Sequence, residues 1–215
     1  NAPSTRAAGD GTQVNRCIME IYLGDKLYGE RQVVPVAGNK TATFNVRLVT
    51  SQTYDFVFWA DVSGEGGIKA DRHYQTANGL QNISLLGTYA GNDDSRDAFT
   101  GVLLSKLVTG AFNEAVELNI KTTDLESIPT DRTALIPAAA SLAFKGVYTG
   151  FNAHTGAVTG DLAALSYNEN AAVVDGDGAL TMDYLFAPKE GQLLTNMVLT
   201  MNNAAGEKIT DKELS

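Results

Sequence analysis

Two histidines, twenty-five acidic residues and a single cysteine set the limits on chemistry in this 215-residue chain. His73 (in DRHYQ) and His154 (in NAHTG) both fall in turn-like contexts. A hydrolytic triad could be drawn from a serine, one of these histidines and an aspartate, because triad members need not be neighbours in sequence. With so many acids available that pairing carries almost no information, and both histidines are read as surface residues. No HExxH, CxxC, GxSxG or phosphate-cradling glycine loop occurs. Asp175 and Asp177 in VVDGDGAL are spaced as in calcium loops, but position 179 is alanine and the twelfth loop position is Phe186 instead of glutamate. A tight turn accounts for DGDG equally well, so these two remain weak calcium candidates and no metal or cofactor is expected. Asp93, Asp94 and Asp97 surround Arg96 in GNDDSRDAF. Glycoside hydrolysis needs two carboxylates facing each other across a cleft, which neighbours in one loop do not supply. That loop is read as solvated. Cys17 cannot form an intrachain disulfide, and its apolar setting in RCIMEIY favours a core thiol over a nucleophile or an intermolecular bridge.

The elements that would have to position such groups are strands. Hydrophobic residues make up 44% of the chain and charged ones 19%, enough apolar material for a core. The formal net charge of −9 argues against nucleic acid and against anionic membrane surfaces as partners. No apolar run approaches the roughly 18–20 residues that span a bilayer. The chain lacks a start methionine and an apolar signal segment, and reads as processed or trimmed.

Residues 1–13 are small and polar and read as a flexible lead-in. Period-two runs follow at 17–23, 29–36, 40–49 and 54–61. KTATFNVRLV (40–49) is the cleanest of them. In YDFVFWAD (54–61), Tyr54, Phe56 and Phe58 share one face and Val57 and Trp59 the other. The aromatic row is expected to fill the sandwich core. Trp59 then needs cover from the long loop 63–79 or from the later part of the chain; left uncovered, it would be a ligand or interface aromatic together with Tyr74 and Tyr89. Further strands are expected at 82–86, 98–104 and 115–122, with a polar loop over 87–97. After a proline-flanked connection at 122–140 a second series begins at 141–151, 178–188 and 192–201, while GDLAALSYN (160–168) reads as one or two helical turns. The expected organisation is all-β: an N-terminal sandwich over 14–121, a linker over 122–140, and a C-terminal sandwich over 141–215 that need not be complete. Phe144, Tyr148, Tyr184 and Phe186 are the expected second core.

RCIMEIYLGDKLYGERQVV, YDFVFWADVSG, DDSRDAFTG and LNIKTTD, in that order, resemble the fimbrillin-like, fimbrial adhesin proteins of Bacteroidales, relatives of the major and minor fimbrial subunits. The resemblance covers about residues 14–200. Tyr54 to Ala60 matches the family's aromatic strand and Arg96 to Phe99 its Arg-Asp-Ala-Phe segment. It implies two tandem transthyretin-like (Greek-key) β-sandwich domains, export as a lipoprotein, and a place in an outer membrane-attached fimbrium on the cell surface. It also implies partners: other fimbrial subunits joined by strand addition, and a host or bacterial surface protein or glycan. Assembly in that family follows proteolytic removal of an N-terminal segment, for which Arg6 and Arg16 are the candidate cleavage points. The chain departs from the family where Leu118 runs straight into Asn119. The expectation is therefore a non-enzymatic structural subunit or adhesin. The alternatives are a monomeric glycan-binding surface lipoprotein and, less favoured, a hydrolase on a β scaffold.

Overall fold

A computed structural model describes residues 10–91, 93–120, 122–124, 139–169, 183–186, 197–202, 205 and 207–214. These residues form antiparallel strands and one short 3-10 turn at Asp94–Arg96, so the all-β expectation holds.

The first sheet is built on the runs with the strongest β character. β1 (Arg16–Leu23) is bordered on its outer side by β2 (Lys26–Leu27) and β3 (Gln32–Pro35), and on its inner side by β4 (Gln52–Asp61). After β5 (Tyr74–Gln75) and β6 (Ile83–Leu85), β7 (Phe99–Val108) pairs along β4, and the two-residue β8 (Asn119–Ile120) pairs with the start of β7. The second sheet is organised around the long β10 (Ala139–Asn152). β11 (Ala157–Glu169) lines one side of it. On the other side β13 (Met197–Asn202) pairs with its start and β6 with its end, and β14 (Lys208–Leu214) and β5 extend the sheet outward. β9 (Thr122–Asp124) and β12 (Tyr184–Phe186) form a separate two-stranded pair.

Alternation along β1 and β4 buries both faces of the first sheet. Ile18, Tyr22, Val57 and Trp59 point toward the second sheet and pack with Tyr74, Leu80, Ile83, Phe151, Ala153 and Phe186. Met19, Ile21, Tyr54 and Phe56 point the other way, with Phe44, Val46, Leu48 and Phe58 packed against them. The inter-sheet core is thus on the Trp59 side, and the aromatic row expected to fill it lies on the opposite face. Cover for Trp59 comes from both expected sources, Tyr74 of loop 63–79 and Phe151 of β10. Phe151, Ala153 and Phe186 thus share a core with β1 and β4. Of the expected second core, Phe144 and Tyr184 are buried and Tyr148 is half-buried.

Three segments depart from the sequence reading. Residues 40–49 are extended with alternating burial but belong to no sheet. Both sides of β1 are already occupied, so this segment crosses the sheet's face instead of joining its edge. The 160–168 segment is strand β11, because a turn with Gly156 at φ 68° returns the chain along β10 and Gly160 at φ 78° allows a bulge. Ladder pairing there overrides weak helical patterning. Of the strand expected over 115–122, residues 115–118 belong to no ladder and only Asn119–Ile120 pairs with β7.

Candidate functional site

A wide cleft lies on the face of the first sheet away from the second. Its floor is Cys17, Met19, Phe56, Phe58 and Leu103, and its volume is about 1210 Å³. Two extended arms wall it, residues 40–50 and 110–118. Each arm is fastened by an aromatic ring: Phe44 packs on Phe58 with centroids 5.8 Å apart, and Phe112 meets Phe56 edge-on at 6.2 Å. Lys106 extends over the Phe112 ring, 5.0 Å from its centroid, and pairs with Glu114 of the same arm. The last residues of that arm lie directly on the sheet, since a Cβ at Gly101 would meet Leu118 and the Glu117 carbonyl. Neither arm belongs to a strand ladder from residue 42 to 48 or from 111 to 118. Two runs of backbone donors and acceptors therefore flank an apolar floor. Cys17 faces this cleft, but burial, helped by the nearby Asp61, pushes its thiol up to about 12. It stays protonated and unreactive.

Both histidines are half-buried rather than freely exposed. His73 Nε2 lies 2.7 Å from Ser95 Oγ and 3.3 Å from Asp93 Oδ2. This brings serine, histidine and aspartate together, yet not as a triad. The Ser95 hydroxyl donates to Asp93 Oδ1 and so accepts from the imidazole, and serine and carboxylate both meet the same ring nitrogen. A triad needs the acid on the far nitrogen and a basic nitrogen at the hydroxyl. Burial and the Arg96 charge lower the imidazole pKa to about 4, so it is neutral at physiological pH. Ser95 is itself buried as part of the 3-10 turn that Asp93 caps. His154 is spent differently: Nε2 meets Asp55 Oδ2 at 2.9 Å, Gln81 Nε2 donates to Nδ1 at 2.9 Å, and the ring stacks on Tyr22 at 4.9 Å. Burial opposes ionisation of Asp55, but the Ser105 amide and His154 outweigh it and hold the carboxyl below its ordinary range.

Loop 87–97 is packed rather than solvated. The Arg96 guanidinium stacks 4.5 Å above the Tyr89 ring, Tyr89 Oη donates to Asp183, and Tyr74 Oη donates to the Arg96 carbonyl at 2.6 Å. Trp59, Tyr74 and Tyr89 are 0%, 1% and 8% exposed, so all three build the interior instead of offering a ligand face. No sequence signal marked the Tyr74 and Tyr89 hydroxyls as buried; their partners, the Arg96 carbonyl and Asp183, are distant or non-local. Asp97 closes this region, buried and accepting the Gly11 amide at 3.1 Å. Burial raises its pKa to about 6. The folded state therefore binds more protons than the unfolded state between about pH 4 and 6, and stability falls as pH rises through that window. Asp97→Asn is expected to be about 1–3 kcal/mol more stable than the parent at pH 8. At pH 4.5 most of that gain should be gone, as urea titrations at the two pH values would show.

The two cleavage candidates also separate. Arg16 is fully buried in β1, pairing with Asp61 and with Asp71 at 3.0 Å and donating to the Ala70 carbonyl at 2.9 Å. A protease needs an extended, accessible segment. Limited trypsinolysis of the native protein is thus expected to spare the Arg16–Cys17 bond, and a mass spectrum showing early cleavage there would contradict this placement. Arg6, like Asp175 and Asp177, lies outside the described residues.

The comparisons with known proteins agree with this architecture. One similar solved structure, from Bacteroides thetaiotaomicron VPI-5482 and described as "putative polysaccharide binding proteins (DUF1812)", aligns with TM-score 0.54 at 14% identity over 93% of this chain and 72% of its own. It shows a shared fold. The fimbrial anchor protein Mfa2 from Porphyromonas gingivalis aligns at 14% identity over 94% of this chain and 75% of its own, with TM-score 0.38, too low to support an argument. No curated protein matches the sequence. The family model for DUF6562 matches residues 1–215 throughout, and the chain belongs to that family, a family of unknown function.

Proposed function

We propose that the protein is a non-catalytic structural subunit or adhesin of a bacterial cell-surface fimbria, exported and attached at the outer membrane, that joins its neighbours by strand exchange. The observation that carries the proposal is the cleft between the arms. An acyl chain would fill its apolar floor and leave the arm backbones unpaired; a sugar would offer hydrogen bonds and leave Phe56, Phe58 and Leu103 wet. An extended peptide with apolar residues at alternate positions does both, which is the chemistry of β-augmentation. Arms of eleven and nine residues match a donor strand of about 30–35 Å. The absence of a working base at Ser95 supports the non-catalytic part of this reading, and the resemblance to fimbrillin-like proteins supports the rest.

The test compares mass and oligomeric state before and after limited trypsin treatment, by size-exclusion chromatography with light scattering and by negative-stain imaging. Ladders or fibres that appear only after removal of the segment ending at Arg6 are expected. A cleanly trimmed chain that stays monomeric would contradict strand exchange. The second reading, a monomeric glycan-binding surface lipoprotein, is favoured by one observation, the polysaccharide-binding description of the Bacteroides thetaiotaomicron structure that shares the fold. Glycan-array binding by the monomer without polymerisation would select it.

A further inference from the structure

β7 has a partner on only part of its outer side. β4 runs along its whole length, but β8 reaches only Phe99 and Thr100, so among the described residues Gly101–Val108 has no strand partner on its outer side. The arm at 116–118 does not cover it, because that arm sits above the sheet plane over Gly101. Three large apolar side chains on this edge are open to solvent: Val102 at 38%, Leu104 at 50% and Leu107 at 54%. Exposed apolar edges invite pairing with other chains, and soluble proteins usually guard them with an outward lysine or a proline. The lysine here, Lys106, is turned toward Phe112 and Glu114. The one device present is a bulge, with Leu104 and Ser105 set opposite Asp55 and Ser105 at φ 54°.

That bulge makes the edge self-complementary. Val102 is opposite Val57 and Leu107 is opposite Thr53, two β4 positions on the same face, so Val102 and Leu107 also share a face despite their odd spacing. In an antiparallel pairing of two β7 edges about a two-fold axis between Leu104 and Ser105, Val102 of each copy falls opposite Leu107 of the other. Both apolar pairs then lie on one face, and the residues at the centre are the exposed Leu104 and the small Ser105. A self-complementary patch is what a two-fold interface requires. We propose that two copies of this chain pair through the free edge of β7, in this register, to form one sheet continuous across the dimer. This contact is independent of the cleft and of strand exchange. An eight-residue edge buries less than a standard interface, so the pairing is a weak one, suited to lateral contact between subunits already held close.

The test uses two single variants, Val102→Cys and Leu107→Cys, mixed and apart, under mild oxidation at millimolar protein. Native Cys17 is buried and does not compete. In the proposed register Val102 faces Leu107 of the other copy, while the two Val102 positions are about 13 Å apart along the strands, beyond the ~7 Å that a disulfide spans. Covalent dimer in the mixture is expected to exceed that of either variant alone by about tenfold. Equal cross-linking in all three samples, or none, overturns the proposal. Sedimentation velocity gives an independent reading: the parent chain is expected to dimerise at millimolar concentration and Leu104→Lys, at an exposed site, to remain folded and monomeric. A parent that is monomeric at that concentration, or a Leu104→Lys variant that dimerises equally well, also overturns it.

Discussion

Trp59→Ala is expected to lose about 3–5 kcal/mol of folding stability, the cost of deleting a large ring from a close-packed interior. The indole is fully buried between the sheets, edge-on to Tyr74 at 5.4 Å and 6.0 Å from Phe151, which in turn stacks on Phe186 at 5.7 Å. These four rings come from β4, the end of loop 63–79, β10 and β12, so one truncation loosens parts of the chain far apart in sequence. Domains of this size are stable by only about 5–15 kcal/mol, and such a loss should leave a marginal fold. Urea unfolding must be followed by circular dichroism, because Trp59 is the only tryptophan. Phe151→Ala should cost a similar amount, and the double variant less than the sum, since touching residues couple. A loss below about 1 kcal/mol for Trp59→Ala would mean that the ring is not in the core.

Arg16→Ala has a comparable expected effect from a different cause. Its guanidinium pairs with Asp61, Nη2 to Oδ2 at 2.9 Å, and both side chains are out of contact with water. Burial pushes the Asp61 pKa up against the pull of Arg16. Removing the arginine strands that carboxylate, and breaking a buried pair from one side typically costs about 3–5 kcal/mol. It also frees loop 63–79, which Arg16 holds through the Ala70 carbonyl and Asp71. Replacing both partners, Arg16→Met with Asp61→Leu, is expected to recover much of the loss because no buried charge remains. Urea midpoints of the single and double variants provide the check; a double variant no better than Arg16→Ala would locate the stability in the loop contacts instead of the ion pair.

Alternation exposed most of the first sheet to sequence reading: 17–23, 54–61 and 98–104 are β1, β4 and the first part of β7. It could not say which face of β4 met the second sheet. Both faces are apolar and both are buried, and the choice depends on Phe151 and Phe186, about a hundred residues away. The 40–49 run shows the converse limit. Its period-two pattern correctly marks an extended segment with one apolar side, but a pattern does not reveal whether a neighbouring strand is available. The site was hardly legible, because the cleft is made by two arms that lack ladder partners. Arg16, read as a cleavage candidate, and Arg96, read as part of a solvated loop, are buried, since an ion pair with Asp61 and a stack on Tyr89 leave no local trace. Ser95, His73 and Asp93 do converge, as three residues among many candidates; the hydrogen-bond directions, not the residue types, separate a capped turn from a catalytic group.

The most direct measurement is hydrogen–deuterium exchange at the backbone amides of 42–48 and 111–118, in the monomer and in fibres grown after trypsin trimming. If the arms flank an open acceptor cleft, these amides exchange quickly in the monomer, well ahead of those in β1 and β4, and become protected on assembly. Amides already as slow in the monomer as those of β4, or unprotected in the fibre, would contradict a cleft that takes in a neighbour's strand.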